Sequence, residues 1–103
     1  ATAKGGLVML TKAMAVDFGA EGIRANAVAP GFIDTAMALM PDGTHSHESD
    51  WFRRQYIESG LIPLRRPGKV EDCTGAFVFL LSNASAYITG QTLLVDGGLS
   101  VTY

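Results

Sequence analysis

The 103 residues are 48% hydrophobic and 17% charged, the balance of a globular chain of at most one domain rather than of a disordered or fibrous one. With 8 Lys plus Arg against 10 Asp plus Glu the formal net charge is -2, so no basic stripe exists to neutralise a phosphate backbone, which argues against nucleic acid as a partner. Cys73 is the single cysteine, no run of about 18 apolar residues occurs, and no basic region followed by an apolar core opens the chain; these point to a cytoplasmic setting with no membrane partner.

From Ala1 to about Phe18, Leu7, Leu10, Met14 and Phe18 recur at spacings of three and four, the period of an amphipathic helix. Gly19 and Gly22 bracket its expected end, since glycine takes the left-handed conformation that closes a helix. Gly5 and Gly6 oppose the helix by about 1 kcal/mol each relative to Ala, and the expected compensation is close approach to something bulky. Ile23 to Ala29, ended by Pro30-Gly31, predicts a buried strand of a parallel sheet followed by a turn, with Asn26 interrupting it.

Residues 32–68 read as an irregular lid, weakly helical from Trp51 to Ser59. Met37, Leu39, Met40, Trp51, Phe52 and Tyr56 supply it with large apolar surface, which suits closure over a substrate as well as a small satellite core or a subunit contact. His45, His47, Glu48 and Asp50 are of the residue types that bind zinc, but alternating histidines in a polar loop are more often solvated. Arg65-Arg66 reads as a solvated pair at the lid hinge.

Beyond Pro67-Gly68, Val70, Cys73, Phe77, Leu80 and Leu81 predict the best helix in the chain, with Glu71 and Asp72 in its first turn where the dipole favours negative charge. Cys73 falls on the apolar face and reads as a small core residue. The helix should stop near Ser82-Asn83, and Gln91 to Val95 should form a strand closed by Asp96-Gly97-Gly98. Strand, helix and strand predict a right-handed crossover with parallel strands. Apolar stripes meant for elements that a chain this short lacks would be left facing water.

Three segments in this order carry a family likeness: Lys4 with Gly5-Gly6, then Ile23-Arg24-Ala25-Asn26-Ala27-Val28-Ala29-Pro30-Gly31, then Ile88-Thr89-Gly90-Gln91 leading to Val95-Asp96-Gly97-Gly98. Together they cover nearly the whole chain, which resembles the C-terminal part of a short-chain dehydrogenase/reductase, in the branch of 3-oxoacyl-carrier-protein reductases and sugar or polyol dehydrogenases. The resemblance implies an α/β architecture, the C-terminal portion of a doubly wound, Rossmann-like parallel sheet, with residues 1–103 forming part of a single NAD(P)-binding domain and the lid at about 32–68.

It also implies NAD or NADP as cofactor, a small-molecule carbonyl or alcohol as substrate, and a homo-oligomer, dimer or tetramer. Lys4 would be the lysine of a Tyr-x-x-x-Lys dyad, binding the nicotinamide ribose and lowering the tyrosine pKa, although a lone lysine in this place would otherwise read as a solvated surface group. Pro30-Gly31-Phe32-Ile33-Asp34-Thr35 matches the family's Pro-Gly-x-Ile-x-Thr pattern. Pro30, Gly31, Ile33 and Thr35 would then meet the cofactor, with Ile33 offering main-chain atoms to the nicotinamide carboxamide. The same residues taken alone are an ordinary strand-ending turn. Met37 and Trp51 are the candidate substrate contacts, and no metal is expected.

The dyad tyrosine would immediately precede Ala1. A chain opening at Ala1 without Met reads as processed or as a fragment, and as it stands it is expected to be inactive. The alternatives are a non-catalytic oligomerisation module and a functionless partial product.

Overall fold

A computed structural model describes residues 2–35 and 46–102, with side chains over 5–35 and 47–102. Met37, Leu39, Met40 and His45 lie outside the described residues, as does the side chain of Lys4. Helix α1 runs Thr2–Phe18, followed by a tight turn Gly19–Glu21; β1 is Ala27–Pro30 and β2 Ile33–Asp34. Helix α2, Asp50–Phe52, widens into a π-helical Arg53–Glu58; then come β3 (Gly68–Lys69), α3 (Val70–Leu81) and β4 (Thr92–Val95). The chain divides into two compact units, Ala1–Ala29 with Gly75–Leu93 and Pro30–Thr74 with Leu94–Tyr103.

Strand β1 pairs with β4. Ala27 N–H donates to Gln91 O at 2.8 Å and Gly31 N–H to Val95 O at 2.9 Å, and because both partners advance together the strands are parallel. Strands β2 and β3 form a second parallel pair, two residues long, with Ile33 opposite Gly68 and Asp34 opposite Lys69.

In the first unit the turn Gly19–Glu21 that follows α1 is closed by Gly22, at φ 77°, whose N–H donates to Gly19 O at 3.0 Å. Strand β1 starts later than expected because Asn26 works as a side-chain connector. Its Nδ2 donates to Ile88 O at 3.0 Å and its Oδ1 accepts from Gln91 N–H at 3.0 Å. Beside it, the Arg24 guanidinium donates to the carbonyls of Ser82, Ser85 and Ile88 at 3.2, 2.9 and 3.2 Å and to the hydroxyl of the fully buried Ser85. One cation thus satisfies carbonyls left over where α3 ends.

The apolar stripes of α1 and α3 are not covered. Leu7, Leu10, Met14, Phe77 and Leu80 line an open groove of about 670 Å³, and Leu7 and Phe77 are each half exposed. Two expectations are corrected here. Outside their chain neighbours and the helix's own backbone, no described heavy atom lies within 4 Å of a Cβ placed on Gly5 or Gly6, so nothing described offsets their helix penalty. Cys73 is half-exposed rather than core, because the face of α3 that carries it is not fully covered. Among the described residues the buried large apolar side chains are Phe52 and Ile62, both in the second unit. Burial of each contributes roughly 1.5–3 kcal/mol.

Candidate functional site

The second unit is built on the turn that follows β1. Gly31 is required there: a Cβ on it would lie 2.7 Å from Asp96 Cβ and 3.0 Å from Asp96 Cα, closer than carbon atoms pack. A Cβ on Gly68 would meet Ile33 Cδ1 at 2.5 Å, a contact the tip of the Ile33 side chain could relieve by shifting. Gly68 N–H donates to Phe32 O at 2.7 Å. In a parallel ladder with Ile33 opposite Gly68, the groups flanking Ile33 bond β3, and the N–H and C=O of Ile33 itself point to the other edge of β2. Main-chain donor and acceptor are thereby offered side by side at the carboxyl end of a parallel strand.

Beneath β2 lies a cavity of about 180 Å³ lined by Phe32, Ile33, Ile62, Leu64 and the Arg66–Asp72 pair. Arg66 Nη1 reaches Asp72 Oδ2 at 2.8 Å, and the same oxygen accepts the N–H of Lys69 at 2.7 Å. Asp72 is the third residue of α3, so its carboxylate reaches back to the residue before the helix, as in a capping box. The Arg66 guanidinium first, then the Lys69 N–H, hold the Asp72 carboxyl down at about 2. Arg66 is raised in turn, chiefly by its hydrogen bond to Asp72.

Asp96 closes the other side of the turn. Its Oδ1 accepts Gly98 N–H and its Oδ2 accepts Ser100 N–H, each at 3.0 Å. Burial pushes its carboxyl up, but the hydrogen bonds from Ser100 and Gly98 together outweigh that and leave it below its ordinary value. Gly97 and Gly98, at φ 64° and 92°, take conformations that side chains avoid and pack against Ile62 and Pro63.

Asp34 Oδ1 lies 2.7 Å from His47 Nδ1. The His47 side chain is only 9% exposed and sits between Phe32 (ring centroids 5.4 Å apart) and Phe52 (4.8 Å), with Tyr56 4.9 Å from Phe52. His47 is therefore not the solvated loop histidine that composition indicated. Among the described residues no three His, Cys, Asp or Glu side chains converge as a metal site would need. Nor are Arg65 and Arg66 merely solvated. Arg65 donates to the carbonyls of Ile57 and Glu58 at the end of the π-helical segment, and Arg66 pairs with Asp72.

Of the residues picked out by sequence, Pro30, Gly31, Ile33 and Thr35 stand together along the turn and β2, all in the second unit. Lys4 belongs to the first turns of α1, in the first unit. Met37 lies outside the described residues. Trp51 is 61% exposed, touching Tyr56 edge-on at 6.0 Å, whereas Phe52 forms the satellite core. Asp34, His47 and the Arg66–Asp72 pair were not singled out in these roles. For Asp72 a signal was present in its place three residues after Lys69, but nothing local marks the contact of His47 with Asp34.

A family model described as enoyl-(acyl carrier protein) reductase matches residues 1–100. Among curated proteins the chain is 41% identical over 100 residues to the 3-oxoacyl-[acyl-carrier-protein] reductase of Chlamydia muridarum, covering 97% of this chain and 37% of that one. It is likewise 41% identical over 101 residues to gluconate 5-dehydrogenase of Gluconobacter oxydans, covering 96% and 36%. The chain belongs to the short-chain dehydrogenase/reductase family. A solved relative, a blue fluorescent protein from a metagenomic library in complex with NADPH, superposes with a TM-score of 0.79 at 33% identity over 96% of this chain and 36% of that one. The α/β architecture with parallel strands is that of the Rossmann-fold dehydrogenases of this family. The chain spans about 37% of the length of the curated relatives it matches. No described helix is long and apolar enough to cross a membrane.

Proposed function

We propose that this chain forms the nicotinamide-facing part of an NAD(P)-dependent oxidoreductase that interconverts an alcohol and a carbonyl in the cytoplasm. The carrying observation is the open edge of β2 at Ile33, set behind the Gly31 close approach. A carboxamide has one donor and one acceptor face, and a main-chain N–H beside a C=O complements both. The residues present therefore fit the nicotinamide end of such a cofactor. When bound, that group supplies or takes up the hydride at the substrate carbon. Ile33 orients the ring through its main chain, and the hydroxyl of Thr35 reaches the carboxamide or the pyrophosphate. The Lys4 ammonium holds the ribose hydroxyls and lowers the pKa of a tyrosine one helical turn before it. Met37 and Trp51 are the proposed substrate contacts.

Taken by themselves, the 103 residues are proposed to turn over negligibly. A chimera tests both statements. When residues 1–100 replace the matching segment of the Chlamydia muridarum reductase, the product should oxidise NADPH or NADH with a 3-oxoacyl thioester. Lys4→Ala should lower kcat at least a hundredfold, and the 103 residues alone should show none. A chimera that folds and binds cofactor but turns over equally well with Lys4→Ala refutes the assignment.

The uncovered faces of α1 and α3 favour one further reading, that this part also carries an oligomer contact of a dimer or tetramer. Leu7, Leu10 and Phe77 supply the apolar area that such contacts use. Sedimentation of the chain with and without Phe77→Glu tests it: a dimer or larger species should dissociate in the variant, and a wild-type monomer at high concentration rules it out.

A further inference from the structure

We propose that His47 is a positioning residue that clamps the open edge of β2, a role resting on the nicotinamide site proposed above. Strand β2 is only two residues long, and a two-residue ladder is too weak to fix its own edge. Successive residues of a strand point to opposite faces, so Ile33 and Asp34 can be held from two sides. On one side the Ile33 side chain lies over Gly68, its Cδ1 2.5 Å from where a Cβ would stand. On the other the Asp34 carboxylate meets His47 Nδ1 at 2.7 Å. Pinned on both faces, the strand cannot roll, and the Ile33 N–H and C=O keep their direction.

His47 is itself held by its surroundings. Its ring is almost fully covered, edge-on to Phe32 and tilted against Phe52, and among the described residues the Asp34 oxygen is the hydrogen-bond partner of its Nδ1. Phe32 immediately precedes β2, and its carbonyl accepts from Gly68 N–H, so the aromatic packing and the hydrogen bond brace the same strand from separate contacts. Among the described residues, Glu48, Arg53 and Arg65 share a shallow cleft with His47. His47 touches no reacting atom and performs no step of the chemistry.

The test uses the full chain, isotope-labelled for amide NMR, with NADH and NADPH as probes. His47→Phe keeps an aromatic ring against Phe32 and Phe52 but removes the donor, while Asp34→Asn keeps an acceptor oxygen. The clamp predicts that His47→Phe speeds exchange of the Gly68 amide proton about tenfold and weakens the cofactor-induced shifts of Ile33 and Thr35 by a similar factor in apparent affinity. Asp34→Asn should stay near wild type. Unchanged Gly68 exchange in His47→Phe, or an Asp34→Asn as damaging as His47→Phe, overturns the clamp. If exchange responds as expected but neither cofactor moves Ile33 or Thr35 in the wild type, the clamp is upheld and the nicotinamide site is what fails.

Discussion

Gly31→Ala is the sharpest perturbation of the turn between β1 and β2, because it adds one methyl group and changes nothing else. The new Cβ would stand 2.7 Å from Asp96 Cβ and 3.0 Å from Asp96 Cα. Ordinary carbon contacts lie at about 3.5–4.0 Å, so one strand end must retreat by roughly an ångström. Neither neighbour can swing aside. Asp96 Cα is backbone, and the Asp96 carboxylate is tied to the N–H groups of Gly98 and Ser100. Overpacking of this kind costs about 1–3 kcal/mol. The alanine recovers about 0.4–1 kcal/mol by restricting the unfolded chain, which leaves a net loss near 1–2 kcal/mol. For a chain of this length that is a fall in Tm of roughly 4–15 °C, read by circular dichroism on heating and by urea titration. Gly19→Ala is the control: beyond its chain neighbours and the local helix backbone, no described atom lies within 4 Å of its Cβ, so stability should hold or rise slightly. The Gly31 amide, bonded to Val95 O, should also exchange faster in Gly31→Ala. A Gly31→Ala chain as stable as wild type, with unchanged exchange, would refute the close approach and with it the geometry proposed for the site.

Other outcomes follow from the same contacts. The Asp72 carboxyl is depressed to about 2, below its unfolded value near 4, so its contribution to stability is present above pH 4 and disappears as pH falls toward 2. Asp72→Asn should therefore flatten the acid side of the stability profile between those values while leaving the slope above pH 5 alone, and an unchanged acid limb would contradict the pairing with Arg66. Arg24→Lys keeps the charge but cannot span the carbonyls of Ser82, Ser85 and Ile88, and should cost about 2 kcal/mol in urea unfolding; equal stability would show that the fork is not needed. Trp51→Phe should change stability by less than about 0.5 kcal/mol, whereas Phe52→Ala should cost about 3–5 kcal/mol, because only the second side chain is buried.

Much of the architecture was legible in the order of the residues. The three-and-four spacing of Leu7, Leu10, Met14 and Phe18 and of Val70, Cys73, Phe77 and Leu81 sets helices that the structure places at Thr2–Phe18 and Val70–Leu81. Pro30-Gly31 marks the end of β1, and the run before Asp96-Gly97-Gly98 is β4. These signals are local, a period or a backbone preference, so a sequence displays them directly. The family likeness drew on the same stretches.

What the sequence could not supply was the meeting of residues far apart along the chain. Strands β2 and β3 are two residues each, too short to show a period, and become visible only when Ile33 finds Gly68. Composition marked His47 as solvated, yet packing buries it beside Asp34, 13 residues earlier. Spacing marks which face of a helix is apolar but not whether anything covers it, and so Gly5 was assigned a close neighbour that the described structure does not provide and Cys73 a core position that is only half-buried. Local periodicity and turn chemistry therefore determined the elements and the glycine-dependent turn of this protein. Which side chains brace that turn, and which apolar faces stay open, only tertiary packing decided, because burial depends on every neighbour at once.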